Sequence, residues 1–326
     1  MNTIKWGIIG CGAVCEVKSG PGFQKAHNSE LVAVMRRDAE KARDFANRHG
    51  VPTWYSDASA LINNPNVNAI YIATPPKHHL DYVRLAAKSS KPIYVEKPMA
   101  RTYAECLEMI EICELAVVPL FVAYYRRRLP YFLKVKEILD SGVIGTPTGI
   151  SLTLHKSPKP NDNDPNTNWR INPEISGGGY FHDLASHLFD LLDFLFGDIT
   201  SANGTTDSTI IDNPAQDRVI AKFTFASGLS GTGNWDFTVS ENQRRDNVVI
   251  EGTAGRMSFA TFNGEAPIVV ETQSEKKEYH LPYPAHVQQP LIQSIVDELR
   301  GVGTCPSTGQ TAARANWVMG EVLKIN

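Results

Sequence analysis

The feature that most limits how this chain can fold is the alternation, over about its first 120 residues, of short apolar runs with segments of helical spacing. Apolar runs stand at Trp6 to Ile9, Leu31 to Met35, Ala69 to Ala73, Ile93 to Val95 and Leu120 to Ala123. Between them, Ala39 to His49, Leu80 to Lys88 and Tyr103 to Leu115 carry apolar residues at helical spacing. Strands that are apolar throughout are buried on both faces, and parallel neighbours need a crossover, which a helix supplies. The pattern predicts a doubly wound parallel sheet over residues 1–123.

The rhythm changes after Arg128. A helix is expected over Tyr131 to Ser141 and a long one from about Asp183 to Phe196. Val219 to Phe225 and Gly231 to Phe237, separated by Ala226-Ser227-Gly228, predict a hairpin. Val248 to Glu251, Met257 to Ala260, Ile268 to Thr272 and Glu278 to Leu281 predict further strands of a mostly antiparallel sheet. Helical patterns at Gln289 to Leu299 and Thr311 to Leu323 close a second domain, 124–326.

The 326 residues, 42% hydrophobic and 21% charged, are enough for two packed domains. With 32 basic against 35 acidic side chains the formal charge is −3, which gives no general attraction to nucleic acid. No uncharged stretch reaches the roughly 20 residues of a membrane helix, and the apolar start is too short for a signal peptide. Five cysteines without a CxxC pair argue against a disulfide framework or structural zinc, so a cytoplasmic protein without a metal is expected.

Gly10-Cys11-Gly12-Ala13-Val14-Cys15 directly follows the first apolar run. In a dinucleotide fold the first glycine permits a tight turn, the second admits the pyrophosphate, and a small third residue lets helix pack on strand. The competing reading is backbone geometry alone. The second strand ends at Arg36-Arg37-Asp38, where an NAD enzyme usually carries a carboxylate for the ribose 2′-hydroxyl and Arg instead accommodates a 2′-phosphate. This favours NADP over NAD, the alternative being two solvated arginines.

Ligands of an open parallel sheet lie beyond the carboxyl ends of its strands, so the loops there take priority. They are Thr74-Pro75-Pro76-Lys77-His78-His79, Glu96-Lys97-Pro98 and Tyr124-Tyr125-Arg126-Arg127, all expected along one crevice. A Lys97 ammonium there could stabilise negative charge on a reacting oxygen. Either histidine could approach a cofactor or simply start the next helix. Farther on, Gly177-Gly178-Gly179 leads into Asp183 and His187, four apart and therefore on one helix face. An imidazole can pass a proton at neutral pH. His182 leaves open which histidine does so, and the bland alternative makes Asp183 a helix cap and His187 a core residue.

In this order, Gly7-Ile8-Ile9-Gly10-Cys11-Gly12, Ala73-Thr74-Pro75, Glu96-Lys97-Pro98, Trp169-Arg170, Gly177-Gly178-Gly179 with Asp183 and His187, and Pro306-Ser307-Thr308-Gly309 resemble the glucose-fructose oxidoreductase/inositol dehydrogenase/rhizopine catabolism (Gfo/Idh/MocA) family. The resemblance implies a Rossmann domain followed by an α/β domain on an open sheet. It implies an NADP- or NAD-dependent oxidoreductase acting on a small molecule such as a sugar or polyol, and a homodimer or homotetramer formed through that sheet. Catalytic roles would fall to Lys97, Asp183 and His187. Cofactor contacts would come from Gly10, Gly12, Ala13, Val14, Arg36, Arg37, Thr74, Pro75, His79, Glu96 and Lys97. Tyr125, Trp169 and Arg170 would join the three catalytic residues around substrate. Two departures from the family pattern are Tyr125-Arg126-Arg127-Arg128 in place of Asn-Arg-Arg-Phe, and Cys15 in the third small position. Rival readings are a non-catalytic NADP-binding regulator of this fold and a glycosidase that uses nicotinamide transiently.

Overall fold

A computed structural model describes residues 2–160, 162, 164, 168–208 and 215–324. The chain forms two compact units, one of residues 1–129 with 284–316 and the other of 130–283 with 317–326.

The first unit contains β1 (Ile4–Ile9), α1 (Ala13–Val17), α2 (Gly20–Lys25), β2 (Ser29–Met35), α3 (Ala39–His49), β3 (Thr53–Tyr55), α4 (Ala58–Ile62), β4 (Ala69–Ile72), α5 (His79–Ala87), β5 (Ile93–Val95), α6 (Tyr103–Leu115) and β6 (Leu120–Val122). The strands pair in parallel in the order β3-β2-β1-β4-β5-β6, which is the Rossmann arrangement. The apolar runs are buried because helices cover both faces. Under them Trp6, Phe23, Tyr71 and Tyr94 form one aromatic cluster, with Trp6 and Phe23 centroids 4.8 Å apart and Tyr71 stacked on Tyr94 at 4.8 Å. Burying each such ring contributes about 1.5–3 kcal/mol.

The second unit opens with α7 (Pro130–Asp140) and continues through β7 (Pro147–His155), α8 (Pro173–Ser176), α9 (Gly179–Phe196), β8 (Ile199–Asp207), β9 (Arg218–Phe225), β10 (Ser230–Asp236), β11 (Arg245–Gly252), β12 (Gly255–Phe259), β13 (Ile268–Thr272) and β14 (Lys276–Tyr279). Its eight-stranded open sheet runs β14-β13-β12-β11-β7-β10-β9-β8 and is antiparallel except at the β7–β10 pair. The hairpin expected around Ala226-Ser227-Gly228 is the β9–β10 pair. Phe181 and Phe189 of α9 pack on Trp235, with ring centroids 5.0 and 5.5 Å away. A Cβ on Gly231 or Gly233 would lie 2.3 Å from Phe223 or 2.2 Å from Trp235, so these strand glycines make room for the rings. Two helices close the chain, α10 (Gln289–Leu299) in the first unit and α11 (Gly309–Leu323) spanning its final boundary. No helix among the described residues is long and apolar enough to cross a membrane.

Candidate functional site

The strand order reverses between β1 and β4, and the turn after β1 lies at that switch point. Gly10 and Cys11 both donate their N–H groups to Met35 O, at 2.9 and 3.1 Å, which ties the turn to the end of β2. Gly10 has φ +91°, and a Cβ there would come within 2.8 Å of Thr74 Cγ2 and 3.1 Å of the Ala73 and Thr74 backbone. Gly12 differs. It is the N-cap of α1 with no side-chain capping bond, and the nearest atom to a Cβ there would be Gly10 O at 3.8 Å. Ala13 and Val14 begin α1 at the surface while Cys15 is fully buried, its thiol pushed far up by burial, so the small third position serves packing. Thr74 Oγ1 lies buried with no hydrogen-bond partner among the described residues, and Pro75 follows it, half-buried. An open glycine face and an orphaned hydroxyl at the switch point suit a dinucleotide phosphate.

At the end of β2, Arg36 is half-buried and Arg37 exposed. Arg36 N–H continues the pairing with β3 by donating to Tyr55 O at 3.1 Å, and neither guanidinium hydrogen-bonds or ion-pairs among the described residues. Asp38 caps α3 by accepting from Lys41 N at 3.1 Å and pairs with Lys41 Nζ at 3.0 Å.

Two residues expected at the cofactor have side chains that contact neighbouring groups of the fold. His79 is fully enclosed, with Nδ1 3.0 Å from Met99 O and Nε2 2.7 Å from Thr74 O. Burial lowers its pKa, and the ring lies between the two carbonyls, next to both the Thr74 loop and the Met99 segment. Glu96 is also buried, its carboxylate turned inward to Tyr71 OH at 2.5 Å and to Lys97 N at 3.1 Å. Lys97 itself is half-buried at the carboxyl end of β5, and the Lys97–Pro98 peptide bond is cis. Tyr125 is buried, with the Arg126 guanidinium 5.2 Å over its ring.

In the second unit α9 starts at Gly179, four residues earlier than the helical pattern suggested, and Gly178 is its N-cap. Asp183 therefore sits within the helix, past the N-cap position. Its carboxylate accepts from Arg170 Nε at 3.3 Å, and the Arg170 guanidinium lies 4.5 Å over the Trp169 ring. His182 and His187 are both buried. His187 meets the edge of Phe262 at 6.0 Å, and Lys156 Nζ lies 5.3 Å over the same ring. The Phe262 loop is held by Asp246, whose carboxylate accepts from Thr261 N (2.9 Å), Thr261 Oγ1 (2.7 Å), Phe262 N (2.7 Å) and Asn263 N (2.9 Å). Lys156, Asp246 and Phe262 stand in no motif of the sequence. The usable signal was the polar start of β11, since an acidic residue entering a strand needs donors from nearby loops.

Residues 4–124 match the oxidoreductase family with an NAD-binding Rossmann fold, GFO/IDH/MocA, and residues 132–258 match the GFO/IDH/MocA C-terminal domain. The chain is 41% identical over 319 residues to Oxidoreductase P35 of Formosa agariphila, covering 98% of each chain. It is 29% identical over 183 residues to levoglucosan dehydrogenase of Pseudarthrobacter phenanthrenivorans, covering 56% of this chain and 47% of that enzyme. A solved structure of levoglucosan dehydrogenase with NADH and levoglucosan superposes with a TM-score of 0.87 at 21% identity, covering 99% of this chain and 96% of that one.

Proposed function

The chain belongs to the Gfo/Idh/MocA family of NAD(P)-binding oxidoreductases, and from that premise we propose a dehydrogenase or reductase that prefers NADP(H) and acts on a hydroxyl or carbonyl carbon of a sugar or polyol. The observation that carries the reading is the end of β2, which offers two guanidinium groups without a hydrogen-bond or ion-pair partner among the described residues, while its nearest carboxylate, Asp38, is engaged in capping α3. Guanidinium groups bind a phosphate dianion by charge-assisted hydrogen bonds and gain far less from a ribose hydroxyl. Relatives named for levoglucosan support the sugar class.

In this reading the first unit holds the dinucleotide and the second supplies acid/base groups and a sheet for homodimer or homotetramer contacts. Bound nicotinamide supplies or accepts the hydride. The Lys97 ammonium donates to the reacting oxygen and stabilises its developing negative charge. His187 takes the hydroxyl proton in oxidation and returns it in reduction. Asp183, held by Arg170, orients the substrate hydroxyl or the imidazole.

A nicotinamide absorbance screen of sugars and inositols with both cofactors tests the proposal. NADP(H) should be favoured about tenfold or more in kcat/KM, the worth of one partly solvated phosphate contact, and Arg36→Asp should erase that preference. Equal use of the two cofactors, or an unchanged preference in Arg36→Asp, refutes it. Lys97→Ala and His187→Ala should each cut turnover while sparing cofactor binding, and retained turnover in either removes that residue's role.

A further inference from the structure

Beneath Lys97 lies a polar network that the chemistry above does not use. Glu96 Oε1 accepts from Tyr71 OH at 2.5 Å and from Gln288 Nε2 at 2.6 Å, while Oε2 accepts from Lys97 N at 3.1 Å. Gln288 Oε1 in turn accepts from Tyr94 OH at 3.1 Å. Gln288 is 1% exposed, is the N-cap of α10, and comes 192 residues after Glu96. Its backbone is fixed too, since its carbonyl starts α10 by accepting from Ile292 N at 2.9 Å.

The network has a direction. Burial, then the charge of Glu96, raises the pKa of both Tyr71 and Tyr94 well above the usual phenol value, so both stay protonated donors. Tyr94 has one proton to give, and it faces the Gln288 oxygen. That fixes the amide so that its NH2 meets Glu96, because the flipped amide would set oxygen against carboxylate. With Oε1 held from two sides, Oε2 is left aimed at the Lys97 main chain.

We infer that Gln288 is a positioning residue for Lys97, holding Glu96 in the one orientation that anchors the Lys97 backbone and hence the base of its ammonium-bearing side chain. The inference rests on the role given to Lys97 above. A misplacement of about 1 Å in a reacting group can cost on the order of a hundredfold in rate.

Gln288→Met keeps the side chain's length and removes its donor. In the full-length enzyme kcat should fall about tenfold or more with the KM for cofactor changed less than about threefold. In a Lys97→Met background the same substitution should change the residual kcat less than about twofold, since residues acting as one unit are non-additive. A full tenfold loss in that background, or wild-type kcat in folded Gln288→Met, refutes the inference while leaving Lys97 its role. Wild-type turnover in Lys97→Met refutes the role of Lys97 and this inference with it. If Gln288→Met does not fold, the exchanged pair decides. Gln288→Glu sets two carboxylates together, and adding Glu96→Gln should recover turnover relative to Gln288→Glu alone, whereas no recovery refutes the inference.

Discussion

Gly10 and Gly12 stand two residues apart in one turn, yet the structure assigns them opposite costs. In Gly10→Ala the backbone would have to keep φ +91°, disfavoured for an L residue by about 1–2 kcal/mol. It would also press on Thr74 Cγ2, which can rotate, and on the Ala73 and Thr74 backbone at 3.1 Å, which cannot move without shifting the end of β4. Overpacking of this kind costs about 1–3 kcal/mol, for a total of roughly 2–5 kcal/mol. At about 2–4 °C per kcal/mol, the melting temperature of the first unit should drop by on the order of 10 °C. Gly12→Ala has an ordinary φ of −107° and nothing nearer than 3.8 Å, so its stability without cofactor should stay within about 0.5 kcal/mol of wild type. Its effect should appear when dinucleotide is added. At a hundred times Kd, cofactor stabilises the wild type by about 2.7 kcal/mol, and a tenfold loss of affinity reduces this to about 1.4 kcal/mol. Thermal melts with and without NADP therefore separate the two glycines. A full cofactor-induced shift in Gly12→Ala would refute the placement of dinucleotide on the open face of the turn, and a wild-type melt for Gly10→Ala would refute the steric account.

Asp246→Asn should destabilise the second unit by about 2–4 kcal/mol, because the new NH2 faces two of the donors its carboxylate oxygens now accept from, and turnover should fall as Phe262 leaves His187. Urea unfolding read by tryptophan fluorescence checks this, and a change under about 0.5 kcal/mol contradicts it. Glu16, hydrogen-bonded by Arg48, has its pKa lowered from 4.5 to about 2, so the folded state binds its proton less tightly than the unfolded chain does. Its contribution is therefore complete above about pH 4.5 and lost as pH falls toward 2, and with the pair 47% and 35% exposed it is worth about 1 kcal/mol or less. Melts of wild type and Arg48→Met should differ at neutral pH and converge near pH 2, and an equal gap at both ends rules the linkage out. A fragment of residues 1–129 should fail to fold stably, since it strands Glu96 and Tyr94 without Gln288, and cooperative unfolding of that fragment alone would contradict this.

The sequence disclosed an element wherever burial left a periodic trace. β5 and the helices α3 and α6 match the spacing read from the chain alone, because strands covered on both faces are apolar throughout and the helices bury one stripe. β3 left no such trace, being three residues long with none buried. β7 buries Ile150, Leu152 and Leu154 with polar residues between, a period-two pattern obscured by its flanking glycines and prolines. β8 is an edge strand whose residues are mostly exposed and small or polar, so nothing distinguished it from a loop.

Candidate site residues were legible in proportion to how local their cause is. The need for glycine at position 10 lies in its own backbone, at φ +91° in the turn that directly follows β1, and Lys97 follows its own strand directly. The surroundings of His79 were less legible, since one of the two carbonyls at its ring belongs to Met99, twenty residues on. Gln288 was out of reach for the same reason at larger scale. Yet a trace of it did exist in the first unit. Tyr71 and Tyr94 interrupt two apolar runs with hydroxyls that burial obliges to find acceptors, and Glu96 adds a buried carboxylate that must find donors. The crossover helices of a doubly wound sheet place apolar stripes against those strands and offer no such groups. The return of the chain at 284–316 brings Gln288 to Glu96 and Tyr94 within the same compact unit.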